Sequence, residues 1–375
     1  MLLLRGQILT PKLDLALATV LVDGERIAWV RRGMVDVAGS TLLTEAGDIV
    51  APGFIDLQVN GLAGRDTASG ADAITAISRE LPRYGVTGFL PTLISRPLDE
   101  AVAFVRECEA AAAPGARMLG AHVEGPFLNP RYRGAHDPEY LLDPTPDRVQ
   151  KLLQRPPRIV TLAPELPGAL EAIRTLTGAG VIVSAGHSAA SFAQAHAGVE
   201  AGARFGTHLF NAMAPLHHRE PGLSGALLAD ERVTFGLIAD GVHVHPSMLH
   251  MAIRMAGPAR VALTTDQTAA AGSPPGRYMI AGRENINDGT AVRLADGTLA
   301  GSAATMDQLV RLIASLPGLS LRQAVEMASL TPARVLGVER KIGAIRSGAM
   351  ADLSVLGHDH KVRLTLVGGK VVFSA

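Results

Sequence analysis

The feature that most constrains this chain is an alternation: apolar runs at 54–59, 86–93, 118–123, 158–163, 181–185, 204–209, 233–239 and 260–265 are separated by helical patterns such as 70–84, 97–113, 167–179, 189–201 and 246–256. Runs that are apolar throughout, rather than at every second residue, suit strands covered on both faces, as in parallel β/α units. Eight such units favour a closed (β/α)8 TIM barrel of the α/β class, although periodicity alone leaves an open doubly wound sheet in play. The polar residues discriminate between the two. Gln58 and Asn60 follow the first run, Glu124 the third, Glu165 the fourth, His187 the fifth, His208 the sixth, Asp240 and His243 the seventh, and Asp266 the eighth. A barrel gathers all of these ends on one rim, whereas an open sheet divides them between two halves.

The two ends of the chain read differently. Residues 2–9, 17–22 and 25–31 are short β-type runs broken by Pro11-Lys12 and the turn Asp23-Gly24, and similar runs recur at 352–356 and 362–373. Together they predict a small β-domain built from residues 1–52 and 345–375, leaving 53–344 for the barrel. With 375 residues, 47% of them hydrophobic and 19% charged, the chain has material for a large core. Lys+Arg and Asp+Glu are equal at 35 each, and no basic cluster marks a nucleic-acid partner. Met1-Leu2-Leu3-Leu4 meets Arg5 at once, and no run approaches the roughly 18 apolar residues of a membrane span, so a cytoplasmic protein with no membrane partner is expected. The lone cysteine, Cys108, rules out an internal disulfide and lies in a helical stretch as inert packing.

Glu124, His187 and His208 are the candidate metal ligands. Two imidazoles and a carboxylate on neighbouring strand ends suit a catalytic, zinc-type site that keeps a position open for water or substrate, whereas closed structural sites favour cysteine. Each residue alone reads equally well as a hydrogen-bonding strand cap, and their joint placement argues for the metal. Asp266 is the candidate for acid/base work, since a carboxylate near an activated water can take its proton and pass it to a leaving amine. Further metal ligation and a plain strand cap are the rival roles for Asp266.

Several segments then carry a recognisable pattern: Pro52-Gly53-Phe54-Ile55-Asp56-Leu57-Gln58-Val59-Asn60-Gly61, His122-Val123-Glu124-Gly125-Pro126-Phe127, Gly186-His187-Ser188, Thr207-His208-Leu209-Phe210-Asn211-Ala212-Met213, Arg219-Glu220-Pro221-Gly222, Ala239-Asp240-Gly241-Val242-His243 and Thr265-Asp266. In this order, over nearly the whole chain, they resemble the N-acetylglucosamine-6-phosphate deacetylase family of the amidohydrolase superfamily. The resemblance implies an amidohydrolase barrel flanked by a small β-sandwich from both termini, and hydrolysis of the acetamido group of a phosphorylated amino sugar in amino-sugar catabolism and recycling. It implies that Glu124, His187 and His208 bind the metal and that Asp266 is general base, then acid. It further implies that His136 polarises the acetyl carbonyl and orients the substrate, and that Asn211 and Ala212, through main-chain groups, and His243 contact the sugar phosphate. Arg219 would reach the phosphate of a neighbouring subunit, which makes a homodimer the expected partner state. Without the resemblance Arg219 reads as a solvated loop charge, and His217 and His218 beside it as surface residues.

Many amidohydrolases hold two metals with a His-x-His pair after the first strand and a lysine after the fourth. Here the first strand ends Gln58-Val59-Asn60, and none of Lys12, Lys151, Lys341, Lys361 and Lys370 falls at a rim position. One divalent ion per subunit is expected, zinc by default, with iron, cobalt and manganese compatible with the same ligands. Gln58 and Asn60 either hold a water in the second position or brace the strand end, and Glu165 is expected to brace rather than ligate. The alternatives are hydrolysis of another N-acyl substrate, such as the galactosamine epimer or a non-phosphorylated amide, and a catalytically silent barrel that serves in binding or assembly.

Overall fold

A computed structural model describes residues 1–10 and 14–375, so the break expected at Pro11-Lys12 lies outside the described residues. Eight parallel strands form the barrel: Phe54–Val59, Val86–Leu93, His122–Glu124, Ile159–Leu162, Ile182–Ala185, Phe205–Gly206, Thr234–Leu237 and Val261–Leu263, with Arg117–Met118 as a short extra pairing on the second. The first two are buried at every position, as strands walled by helices outside and packed side chains inside must be. Helices Ala71–Glu80, Leu98–Ala110, Ala169–Gly178, Phe192–Ala201 and Pro246–Ala256 fall within the expected helical stretches. The Phe192–Ala201 helix starts where Ser191 and Gln194 cap each other's backbone amides.

A parallel sheet becomes a barrel only when its edge strands meet. Here Val59 bridges Gln267, and the amides of Asn60 and Gly61 donate to the Gln267 carbonyl at 2.8 and 3.1 Å. Below that bridge the buried carboxylate of Asp56 accepts the Thr265 hydroxyl at 2.6 Å and, at 3.2 Å each, the Thr265 amide, the Thr264 hydroxyl and the Gln58 amide. One side chain of the first strand thereby laces the eighth to it. Farther round the barrel, His122 donates from Nδ1 to the Leu57 carbonyl at 3.0 Å, and its Nε2 accepts the Thr161 hydroxyl at 2.8 Å. Thr161, Thr207 and Ser184 continue this chain of hydroxyls across neighbouring strands. These interior side chains thus satisfy one another, as burial requires.

Both termini enter one eight-stranded sheet, in which Ile49–Pro52 pairs with Leu2–Leu9 on one side and with Leu353–Leu356 on the other. Leu4, Val20, Ile27, Val50, Leu353 and Leu366 share its apolar cluster. It is pinned to the barrel where Arg117 forks onto Asp352 at 3.0 and 3.2 Å, and where Ser354 and Thr365 donate to the Gly85 and Pro82 carbonyls. The segment after the eighth strand contains a β-hairpin, Gly276–Ile280 and Arg283–Asn287, turned by Ala281 and Gly282 at φ 44° and 85°. Two successive left-handed residues make the tight turn that matches strand twist. Among the described residues, no helix is long and apolar enough to cross a membrane.

Burial pushes the Asp56 carboxyl up to about 6, against the hydrogen bonds from Thr265, Gln58 and Thr264. A folded-state value above the unfolded one means that the native fold binds this proton more tightly, so its stabilisation is full at low pH and is lost as pH rises through about 6. Relative to Asp56→Asn, which has no such proton, the parent protein should lose about 2 kcal/mol of unfolding free energy between pH 4 and pH 7. Urea denaturation of both proteins across that range measures it, and a constant difference would refute it.

Candidate metal centre and active site

The strand ends do converge. His187 Nε2 lies 3.2 Å from Glu124 Oε1 and 3.1 Å from His208 Nε2, and His208 Nε2 lies 3.0 Å from the same Glu124 oxygen. All three residues are buried. His187, His208 and Asp266 have φ of 49°, 30° and 48°, a left-handed backbone that side-chain-bearing residues seldom adopt. Each directly follows a strand or lies just beyond one, and each is wrung out of the strand conformation there, a strain typical of functional sites.

For His187 and His136, hydrogen bonds on the far side of the ring decide what it presents to the centre. His187 Nδ1 is 3.0 Å from the Tyr132 carbonyl, so Nδ1 carries the proton and Nε2 faces Glu124 and His208 with a lone pair. Glu124 Oε1, the His187 Nε2 lone pair and His208 Nε2 converge within 3.2 Å, a crowding of electron-rich atoms that a proton on His208 or a cation between them relieves. Burial and the neighbouring His136 push the His187 imidazole down to about 4. Burial lowers His208 too, but Glu124 and Asp266 outweigh it, so His208 is the one raised. Burial also works against ionisation of Glu124, yet its hydrogen bonds with His136, His187 and His208 hold that carboxyl well below the usual range. The spacing matches ligand atoms around a tetrahedral ion with bonds of about 2.0–2.1 Å. The cluster therefore fits a divalent metal ion.

His136 also approaches within 4.8 Å of Glu124 and His187 ligand atoms, but its chemistry differs. Its Nδ1 accepts the Ser95 amide at 3.0 Å and the Ser95 hydroxyl at 2.8 Å, which places the proton on Nε2. That Nε2–H faces the site 3.6 Å from Glu124 Oε2. His136 is thus a donor aimed at the centre rather than a lone pair. Ser95, which sets this tautomer, carried no signal in the sequence.

Gln58 and Asn60 do not need a bridging water. Gln58 Nε2 donates to Glu124 Oε1 at 2.9 Å, and Asn60 Nδ2 donates to Asp266 Oδ1 at 2.7 Å. The two amides hold each carboxylate in place without charge. Burial first, and the Glu124 charge second, push the Asp266 carboxyl up to about 7. A carboxylate that readily takes a proton at neutral pH is suited to proton transfer.

On the far side, Asp240 accepts the Val242 and His243 amides at 2.9 and 2.8 Å and pairs with His243 Nδ1 at 2.6 Å, leaving His243 Nε2 free of that contact. Asn211 and Ala212 line the same cavity, although the Asn211 amide already donates to the His208 carbonyl at 3.0 Å. Arg219 does not line it: it lies on an exposed loop with Nη1 2.9 Å from His218 Nε2, and His217 and His218 are surface residues as expected. Glu165 is occupied on both carboxylate oxygens. Its carboxylate braces the His187 turn by accepting the Ser188 hydroxyl at 2.7 Å, the Ala189 amide at 2.6 Å and Asn129 Nδ2 at 2.9 Å.

The cavity over the cluster has a volume of about 240 Å³ and adds Ile94, Ile238, Ile280 and Leu299 to the residues above. A larger space of about 730 Å³ opens at the opposite ends of the strands, around Gly120, Arg158 and Val181, and holds none of the cluster. Cys108 borders it, with a thiol pushed up by burial and so unreactive.

Residues 49–372 match the model of the amidohydrolase family. The N-acetylglucosamine-6-phosphate deacetylase of Bos taurus is 39% identical over 370 residues, covering 94% of this chain and 89% of that protein. The N-acetylgalactosamine-6-phosphate deacetylase of Escherichia coli O157:H7 is 39% identical over 332 residues, covering 86% and 88%. A solved structure of a mutant N-acetyl-D-glucosamine-6-phosphate deacetylase from Mycobacterium smegmatis, in complex with N-acetyl-D-glucosamine-6-phosphate, superposes with a TM-score of 0.93 at 34% identity, covering 100% of this chain and 99% of that one.

The bracing by Glu165 has a measurable consequence. Glu165→Ala releases Ser188 and Ala189 and should weaken divalent-metal affinity about 10–100-fold, the usual effect of losing a group that orients a ligand. Competition with a chromophoric chelator reports this, and unchanged affinity would show that the His187 turn holds without it.

Proposed function

The chain belongs to the amidohydrolase family and, within it, to the N-acetylglucosamine-6-phosphate deacetylases, and from that premise we infer that it hydrolyses N-acetylglucosamine 6-phosphate to glucosamine 6-phosphate and acetate. The observation that carries this reading is the meeting, in one cavity, of a lone-pair cluster fit for a metal, a donor imidazole and a buried carboxylate. Amide hydrolysis needs what these three offer: positive charge and a hydrogen-bond donor for the developing oxyanion, and a carboxylate that takes a proton from water and returns it to the leaving nitrogen.

Glu124, His187 and His208 would hold one divalent ion, zinc by default, which when bound supplies Lewis-acid activation of carbonyl and water. Asp266, steadied by Asn60, takes the proton from the attacking water. His136, its proton fixed on Nε2 by Ser95, donates to the acetyl oxygen as negative charge develops there. Asp266 then returns the proton to the amine nitrogen as the carbon–nitrogen bond breaks. His243, oriented by Asp240, and the Asn211–Ala212 turn face the sugar and its phosphate. The reading includes a cytoplasmic setting, in which phosphorylated amino sugars are broken down and recycled.

One need is left unmet by a single chain. Neither a lysine nor an arginine is among the described residues lining the cavity, yet the substrate carries a phosphate dianion. Arg219 would supply the missing charge to the site of a second copy in a homodimer, its planar fork suited to phosphate. Exposed Leu216, three residues earlier, and exposed Met251 and Met255 on the helix Pro246–Ala256 offer apolar surface for such an association.

Acetate release from N-acetylglucosamine 6-phosphate, with and without chelator, tests the reading directly, with the galactosamine epimer and unphosphorylated N-acetylglucosamine as comparisons. Metal analysis of the purified protein should find one divalent ion per chain. Asp266→Asn should retain that metal while kcat falls by about 10²–10⁴, the usual weight of general acid–base catalysis; near-parental turnover would end the assignment. Arg219→Ala should raise KM for the phosphorylated sugar about 10–100-fold, as expected for a lost charged hydrogen bond, without altering KM for the unphosphorylated one. An equal change for both sugars would remove Arg219 from phosphate recognition.

A further inference from the structure

A hairpin tip contributes Ile280 to the apolar lining of the catalytic cavity, and the tip is fastened to the segments that carry and hold His136. Ile280 precedes the turn, is buried at 3% exposure and lines the cavity with Ile94, itself 5% exposed. At the next residue, the Ala281 amide donates to Asp66 Oδ2 at 2.5 Å, while the Ala281 carbonyl accepts Arg96 Nη1 at 3.2 Å. Asp66 is itself fixed by the Ala68 amide at 2.8 Å. Beyond the turn, the Arg283 guanidinium donates to the Ala135 carbonyl. Ala135 adjoins His136, and Arg96 adjoins Ser95, whose amide and hydroxyl set the His136 tautomer. Three clamps therefore hold Ile280 in place beside the donor imidazole.

We propose that Ile280, with Ile94, is the wall that limits the acyl group to acetyl. The inference rests on the deacetylase reading and deepens it. An amide carbon bears three substituents: the oxygen, the nitrogen leading to the sugar, and the alkyl group. The oxygen is directed to the cluster and His136, and the sugar to Asn211, Ala212 and His243, so the alkyl group is left with the apolar lining, in which Ile280 and Ile94 belong to the segments clamped around His136 whereas Ile238 and Leu299 do not. The volume of about 240 Å³ falls below the roughly 300–1,000 Å³ of ordinary ligand sites, which leaves little room for a longer chain. Because the tip is clamped on both sides of its turn, Ile280 cannot withdraw as a side chain on a slack loop could. One methylene against an unyielding apolar wall changes kcat/KM by about 10–200-fold.

The test compares kcat/KM for N-propionyl- and N-acetylglucosamine 6-phosphate on the metal-loaded protein. Ile280→Ala should raise the propionyl-to-acetyl ratio by about tenfold or more. Arg283→Ala, which unlatches the tip without removing a lining side chain, should raise it less, and Ile238→Ala, a lining residue outside the hairpin, should not raise it. Should Ile280→Ala fail to fold, as judged by its thermal transition, Ile280→Val carries the test with an expected several-fold rise. A ratio unmoved in the folded Ile280 variant, or one that rises only with Ile238→Ala, would overturn the proposal. The parent protein's acetate release is scored separately: its absence would refute the deacetylase reading, whereas its presence with an unmoved ratio refutes only the acyl wall.

Discussion

The seam between the first and eighth strands is the contact on which the rest depends. A parallel sheet with two open edges would expose unpaired backbone groups and scatter its strand ends, whereas closure removes the edges and makes the ends a ring. Asp56 and the Val59–Gln267 bridge accomplish that closure. The seam also has a chemical result, because closing it sets Asn60 of the first strand beside Asp266 of the eighth, while Gln58 reaches Glu124 across the mouth. Two carboxylates that would repel each other in a buried site are separately tied to neutral amide donors. Fold closure and the poise of the reacting groups therefore share the same few residues.

Around that seam the mouth is built under strain. A left-handed backbone at a residue other than glycine costs of order 1–3 kcal/mol, and His187, His208 and Asp266 all adopt it. Nothing local favours this. The conformation persists because the surroundings over-determine it: Glu165 grips the amide and hydroxyl just after His187, the Leu209 amide is tied to the Gly236 carbonyl, and the Ser302 amide to the Asp266 carbonyl. The stability of the barrel is thus drawn upon to hold side chains across the mouth at angles that a relaxed strand end would not give.

This division explains what was legible in the sequence. Continuous apolar runs and the polar residues ending them are local patterns, so eight strands, the helix Pro246–Ala256 and the ring of Glu124, His187, His208 and Asp266 could be read directly. The partners of Gln58 and Asn60 could not, because they lie 66 and 206 residues away and depend on where the ring closes. The latch role of Asp56 is hidden for the same reason. The hairpin Gly276–Ile280 and Arg283–Asn287 escaped because its outward face carries Arg277, Met279, Glu284 and Ile286, a mixed set without clean alternation, and its turn begins with alanine rather than asparagine or glycine. Arg219 is a different case: its exposed loop gives it no role within one chain, and only a second copy would.

The histidines carry the argument one step further. Four of them border a single cavity, and for three of these residue type alone cannot assign the duty, since imidazole can be ligand, donor or ion pair. The group behind each ring decides. A backbone carbonyl behind His187 leaves a lone pair facing the cluster; the amide and hydroxyl of Ser95 behind His136 leave a proton facing it; a carboxylate behind His243 anchors that ring on the opposite side. These backing groups belong to Tyr132, Ser95 and Asp240, of which only Asp240 is near its histidine in sequence. The chemistry of the mouth is therefore specified one layer behind the reacting atoms, by contacts that exist only after the loops have packed.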